Sequence, residues 1–271
     1  MILLSWVDLT LAGSLVVLLA LINWFQGLGL GRKILLGAAR AVIQLTLVGL
    51  VLKSIFAWND PWAVGSVALV MLLFAGREVQ ARQTRPFEGL SGYWAGTSAM
   101  FVSSFGVGFF ALTVVLGNHP WYQPQYAIPL LGMLLGNCMT GVALGLNQFS
   151  QGIHRDQAAI EAKLTLGWTG WAASGEHRRQ ALQMALTPIL NAMASAGLVS
   201  IPGMMTGQIL AGGPPMEAAK YQILILFMIA AGTGFGVLLA VSWAAYRLFD
   251  ERHRLRLDRL RAVFVPKGKR I

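Results

Sequence analysis

Seven apolar stretches divide this chain, and the connections between them alternate between basic and almost free of Lys and Arg. The stretches lie at 6–25, 34–56, 62–76, 95–117, 126–148, 181–200 and 221–246, each near the ~20 residues a helix needs to cross hydrocarbon. Of 21 Lys and Arg residues, 19 fall on one side. They are Arg32, Lys33 and Arg40 after the first stretch, Arg77, Arg82 and Arg85 after the third, and Arg155, Lys163, Arg178 and Arg179 after the fifth, with nine more in residues 247–270. Only Lys53 and Lys220 remain for the other side. Short basic loops stay in the cytoplasm, so the pattern predicts an outside N-terminus and a cytoplasmic C-terminus. Seven crossings supply the parity this needs. The expected fold is an all-α polytopic membrane bundle of about seven transmembrane helices over residues 1–250, followed by a basic cytoplasmic tail over 251–271.

An apolar content of 56% with 12% charged residues and 31 glycines agrees with a helical membrane protein and leaves no room for a second folded domain. The first stretch has neither a basic leader nor a small-residue cleavage site, and reads as a retained helix. A single cysteine, Cys138, excludes an internal disulfide framework.

The same residues restrict the energy source. Ion-coupled carriers hold an acidic or histidine side chain at mid-depth. Here ten of the eleven carboxylates sit in loops, turns or the tail, and the other, Asp8, lies at the outer end of the first stretch. His119, His154, His177 and His253 all lie outside the apolar stretches. No Gly-x-x-x-x-Gly-Lys-Ser/Thr loop occurs, so the chain is expected to bind no cofactor and to hydrolyse no ATP. Residues 27–32, Gly-Leu-Gly-Leu-Gly-Arg, imitate a dinucleotide loop but follow an apolar span rather than a strand, which favours a turn. Uphill transport would therefore draw its energy from another chain.

The longest basic connection, 149–180, is where a partner should dock. Ile160, Leu164, Trp168 and Trp171 recur at spacings of 4, 4 and 3, predicting one amphipathic helix with these residues on a single face. Such a helix either rests in the headgroups or engages a protein. Farther along, Pro202, Gly203, Gly207, Gly212, Gly213, Pro214 and Pro215 interrupt an apolar region that cannot be one straight helix. A broken or re-entrant segment on a transport pathway is expected there, with an outer loop as the plainer alternative. Met133, Met139, Met193, Met204, Met205 and Cys138 offer soft sulfur, and Gln44, Asn137, Asn191 and Gln208 offer amide oxygen. Packing explains each methionine individually, and hydrogen bonding between helices could occupy the amides. Arg40 is expected to reach the inner headgroups. Gly132 with Gly136, Gly141 with Gly145 and Gly232 with Gly236 permit close helix contact. The basic tail resembles a nucleic-acid arm in composition, but its position at the end of the last span favours anionic lipid, and no nucleic-acid partner is expected.

Two resemblances sharpen these readings. Glu161-Ala162-Lys163-Leu164-Thr165-Leu166-Gly167, followed by Trp168, resembles the coupling-loop signature of ATP-binding-cassette permeases, in which a short helix and a glycine fit a cleft on the ATPase. Lys163 departs from the alanine favoured there, and Pro188 lies farther from Gly167 than in that pattern. The segment 191–213, above all Met204-Met205-Thr206-Gly207, together with Gly132-Met133-Leu134-Leu135-Gly136-Asn137 and Arg40-Ala41-Val42-Ile43-Gln44-Leu45, resembles the FetB-type (YbbM-like) iron-export ABC permease family and its plant aluminium-sensitivity relatives. The resemblance covers residues from about 5 to 250. It implies a permease of the bacterial inner membrane, iron or other metal-cation export, oxidative-stress resistance, a cytoplasmic ATPase carrying ATP and Mg, and a permease homodimer. Under it, Glu161, Ala162, Leu164, Gly167 and Trp168 would couple to the ATPase. Gln44, Asn137, Asn191, Met193, Pro202, Gly203, Met204, Met205 and Gln208 would line the pathway, with Met204, Met205, Cys138 and Met133 as metal candidates. The competing functions are a permease for an organic or phosphorylated solute, such as a sugar derivative, and a non-transporting scaffold.

Overall fold

A computed structural model describes residues 5–58, 60–117 and 119–261, and these are helical with no named strand among them. The chain divides into two units, Met1–Asp60 and Pro61–Ile271.

The first unit is a helical hairpin of α1 (Trp6–Phe25) and α2 (Gly31–Trp58). A capping box starts α1: the Ser5 hydroxyl accepts from the Asp8 amide, and the Asp8 carboxylate accepts from the Ser5 amide at 2.8 Å. Gly27 and Gly29 take φ of 66° and 69°, so residues 27–32 form the turn between the helices and no nucleotide loop. Nearly every apolar side chain of the hairpin is exposed, among them Leu15, Leu18, Ile43 and Leu45, as a surface facing lipid would be.

The second unit starts with α3 (Pro61–Ala81). Next come α4 (Ser91–Met100) and α5 (Gly106–Phe110), joined by a π turn at Phe101–Phe105 and extended by another at Ala111–Val115 into one span, Ser91–Val115. Then follow α6 (Pro124–Arg155), α7 (Gln157–Thr165), α8 (Gly170–Ala173), α9 (Gly175–Ser195), α10 (Gly203–Leu210) and α11 (Pro215–Leu248). Six helical segments among the described residues are long and apolar enough to cross a membrane: α1, α2, α3, Ser91–Val115, α6 and α11. The stretch 181–200, expected as a further apolar span, instead overlaps α9, whose Gln180, Gln183, Thr187 and Asn191 make it too polar to qualify.

Close approaches fix the register around α6. Gly141 and Gly145 face Val237, and Gly145 also faces Val241, so α6 and α11 run parallel. Gly152 lies against His177, and Gly145 against Ala185, so α9 runs antiparallel to both. Small residues let these backbones approach closely: a Cβ on Gly236 would stand 2.4 Å from the Cys138 Sγ and 2.8 Å from the Ser103 Oγ. The core lies along this seam, where Cys138, Val142, Leu146, Phe149 and Ile153 cluster with Ala181, Ala185, Ala240 and Ala244. At about 1.5 Å per residue, α9 runs back some 31 Å from the end where α6 and α11 finish.

That end gathers three of the basic segments. The Thr84 amide donates to Asn147 Oδ1 at 2.9 Å, and Gln151 donates to the Thr84 hydroxyl at 3.1 Å, tying the α3–α4 connection to α6. The Arg261 amide donates to the Pro86 carbonyl, and the Glu88 amide to the Arg259 carbonyl, both at 2.9 Å. Residues 251–261, read from sequence as the start of a tail, therefore pack on the bundle, with Leu260 buried beside Phe87. Residues 262–271 lie outside the described residues.

Candidate functional site

The 156–174 connection is two short helices with a break between them, which corrects the single amphipathic helix expected over 160–171. α7 ends at Thr165, and Gly167 takes φ of 87°, a left-handed conformation that a side chain strains. Ile160 is fully buried and Leu164 packs against the core, so the apolar face of α7 is occupied by the bundle. Trp168 and Trp171 fall after the break and belong to a different surface. What remains exposed is a ridge of Glu161, Ala162, Leu166, Gly167 and Trp168, with Leu166 79% and Trp168 49% accessible. Leu166 and Trp168 thus leave apolar surface uncovered beside the charged Glu161.

Several contacts hold the ridge from behind. A Cβ on Gly170 would collide with Phe249 at 2.3 Å, and the Thr169 hydroxyl caps α8 by accepting from the Ala172 amide. Trp171 stacks on Tyr246 at 4.9 Å, and the Arg178 guanidinium lies over the Trp171 ring at 3.3 Å. Asp156 accepts two bonds from Arg155, at 3.0 and 3.1 Å, and its other close partner is His177 Nε2 at 3.0 Å. Those bonds, Arg155 first and His177 second, hold the Asp156 carboxyl down at about 2.

A second feature lies on the helices themselves. Gln183, Thr187 and Asn191 recur every four residues on the face of α9 opposite buried Ala181, Ala185 and Ile189. On α6, Asn137, Thr140, Asn147 and Gln151 occupy the face that packing on α11 and α9 leaves uncovered, together with half-buried Met133. Asn137 donates to the Met133 carbonyl at 2.8 Å and Thr187 to the Gln183 carbonyl at 2.7 Å. Backbone acceptors on their own helix thus take up these donors, and the Asn137 amide oxygen is left to accept. Only Asn137, Asn191 and Met133 of these rows were expected from sequence. Gln183, Thr187, Thr140, Asn147 and Gln151 were missed, although the helical spacing within each row carries the signal.

The remaining sequence candidates separate. Gln44 is exposed on α2 in the first unit. Met193 is half-buried in the last turns of α9. Pro202 precedes the eight-residue α10, on which Gly203 is exposed and Met204, Met205 and Gln208 are half-buried. The expected backbone break is present: two turns flank α10, with Gly197 and Gly212 at φ of 81° and 92°. At roughly 12 Å, α10 is too short to cross a bilayer. The four sulfur candidates do not share a place. Cys138 is fully buried, 3.4 Å from the Ser103 hydroxyl and 3.6 Å from the Gly232 carbonyl, whereas Met133 is on the uncovered side of the same helix. Met204 and Met205 belong to α10, and no group of three His, Cys, Asp or Glu able to hold a metal occurs among the described residues.

Residues 6–249 match the uncharacterised protein family UPF0014. The chain belongs to this family. The match takes in every helix described above, including the polar α9 and the broken 196–214 segment. Among its UPF0014 relatives, the UPF0014 membrane protein slr1647 of Synechocystis is 38% identical over 93% of this chain and 96% of its own length. The probable iron export permease protein FetB of Escherichia coli is 36% identical over 94% of this chain and 96% of its own. The Arabidopsis thaliana protein ALUMINUM SENSITIVE 3 is 34% identical over 82% and 80%. No solved structure matches this UPF0014 chain.

Proposed function

We propose that this UPF0014 chain is the permease subunit of an ABC transporter in the bacterial inner membrane, exporting iron or another metal cation. A separate cytoplasmic ATPase, binding ATP and Mg, supplies the energy. The observation that carries the transport reading is the polar row on α9. A helix packed along α6 and α11 with amides and a hydroxyl on its open face is unsuited to lipid, and suits a wet pathway. With α9 as a seventh crossing, the N-terminus lies outside and the basic end of the second unit in the cytoplasm, in accord with the charge distribution. The likeness to FetB supports iron as the cargo. Amide oxygens and thioethers such as Asn137, Asn191 and Met133 suit a transported ion, because weak ligands also release it.

The exposed ridge of Glu161, Ala162, Gly167 and Trp168, backed by Leu164, is the proposed ATPase seat. Its burial of Ile160 on the bundle supports transmission of ATPase closure to α6 and α9, a rigid contact that a helix floating in headgroups would lack. Two ATPases closing on each other call for two such seats, hence a permease homodimer. Protection from oxidative stress would follow from iron removal.

The test is ATP-dependent iron movement in proteoliposomes holding the chain and its cognate ATPase. Gly167→Leu strains a left-handed residue by about 1–3 kcal/mol at an exposed site. The expected result is normal membrane insertion with flux at least about tenfold lower and ATP hydrolysis no longer stimulated by the permease. Unaltered flux and stimulation would remove the coupling role, and ATP-dependent flux of an organic solute in place of iron would reassign the substrate.

A further inference from the structure

We propose that the arginine-lined cavity at the cytoplasmic base of α11 binds a phosphoryl anion, supplied either by the headgroup of an anionic phospholipid or by free phosphate. The cavity holds about 680 Å³ and is lined by five arginines, two carboxylates and the aromatic pair Trp243 and Tyr246.

Its walls are built rather than loose. Asp250 accepts from the amides of Arg252 and Arg254 at 3.0 and 2.8 Å and from Arg254 Nε at 2.7 Å, which closes the turn after α11. The Arg256 amide donates to the Leu248 carbonyl at 2.8 Å, and Phe249 bridges Leu255. The charges are unevenly matched. Asp250 occupies Arg254, and Asp258 takes Arg256 through two bonds at 2.9 and 2.8 Å. Arg247, Arg252 and Arg259 form no salt bridge among the described residues, although the Arg259 charge reaches Asp258, and Glu251 is the one further lining carboxylate. Arg259 is steered by donating to the Arg247 carbonyl, which brings its guanidinium to the same wall.

Three guanidinium groups converging on one cavity repel one another. An anion with several acceptor oxygens offsets that repulsion and fits their forked donors. The aromatic wall suits the membrane boundary: Trp243 is held edge-on by Phe87 at 5.0 Å, and Tyr246 is 70% exposed in the last turn of α11. Tyr246 also stacks on Trp171, under the Arg178 guanidinium. Occupancy of the cavity therefore bears on the backing of the 161–168 ridge, and this holds whatever that ridge engages.

The experiment uses the full chain purified in a neutral detergent and follows its melting temperature with phosphatidylglycerol, inorganic phosphate or phosphatidylcholine. Stabilisation by phosphatidylglycerol alone assigns the lipid source; stabilisation by inorganic phosphate as well assigns the free anion; either supports the site. In Arg247→Gln with Arg252→Gln, the apparent affinity falls at least about tenfold, as loss of two charge-assisted bonds predicts. Arg252→Glu alone gives a comparable loss and tests the site even if the double variant is not recovered. Arg179→Gln, which removes one positive charge elsewhere, leaves affinity within about twofold. Equal responses to all three additives, or equal losses in Arg179→Gln and the cavity variants, would overturn the proposal.

Discussion

α9 and α11 both pack on α6, yet they present opposite chemistry to whatever surrounds them. The open face of α11 carries Ile223, Phe227, Phe235, Leu238 and Leu239, and that of α9 carries the row Gln183, Thr187 and Asn191 beside exposed Met184 and Leu190. Their buried faces share alanines in the core with α6, Ala181 and Ala185 on α9 and Ala240 and Ala244 on α11. The difference separates two jobs that a membrane helix performs, holding its neighbours and meeting its solvent. Hydropathy reports mainly the second, which is why it marks α11 strongly while α9 falls short of a long apolar helix.

The comparison breaks most severely at the shared seam. Gly236→Leu drives a side chain into Cys138 and Ser103. It is expected to cost about 3 kcal/mol or more, and to leave little monodisperse protein on size-exclusion chromatography. A well-folded variant would mean that the seam is looser than described. Next come the open faces. Thr187→Leu and Asn191→Leu on α9 should leave the melting temperature nearly unchanged, each within about 0.5 kcal/mol, while lowering ATP-dependent flux about tenfold. Phe235→Leu on α11 should alter flux less than about twofold, as an exposed apolar exchange does. Equal effects on the two helices would erase the distinction.

The smallest expected effect is at the anchor behind the ridge. Asp156 is depressed from an ordinary value of 3.8 to about 2. A depressed carboxyl stabilises the fold above its unfolded value and loses that contribution as pH falls through the folded one. Amides of residues 157–174 should therefore keep their hydrogen-exchange protection from pH 7 to about 4 and lose part of it between about 4 and 2. Asp156→Asn should show the reduced protection already at pH 7. Identical exchange in the variant would show that Asp156 does not anchor the segment.

Much of this architecture was legible in the chain, because the cost of burying charge in hydrocarbon writes itself into composition. Six of the seven expected stretches fall on long apolar helices, and three of the four basic segments meet at one end of the second unit. Proline and glycine marked the break around α10 for an equally local reason, the backbone states they permit or forbid. The ridge was legible only in part. Spacing joined Ile160, Leu164, Trp168 and Trp171 into one helix, but the positive φ at Gly167 divides them, and Ile160 turns inward while Trp168 turns out. Residue type alone gathered Cys138, Met133, Met204 and Met205, although side chains on opposite faces of one helix cannot share a ligand.

Sequence by itself determined that this is a multi-pass helical membrane protein, since that follows from the free energy of moving apolar groups between water and lipid. Tertiary structure alone decided which face of each helix is left open, that residues 251–261 close onto the bundle, and that five arginines surround one cavity. Those outcomes depend on close approaches between residues far apart in the chain, such as Gly145 with Val237 and Phe87 with Leu260, which periodicity cannot specify.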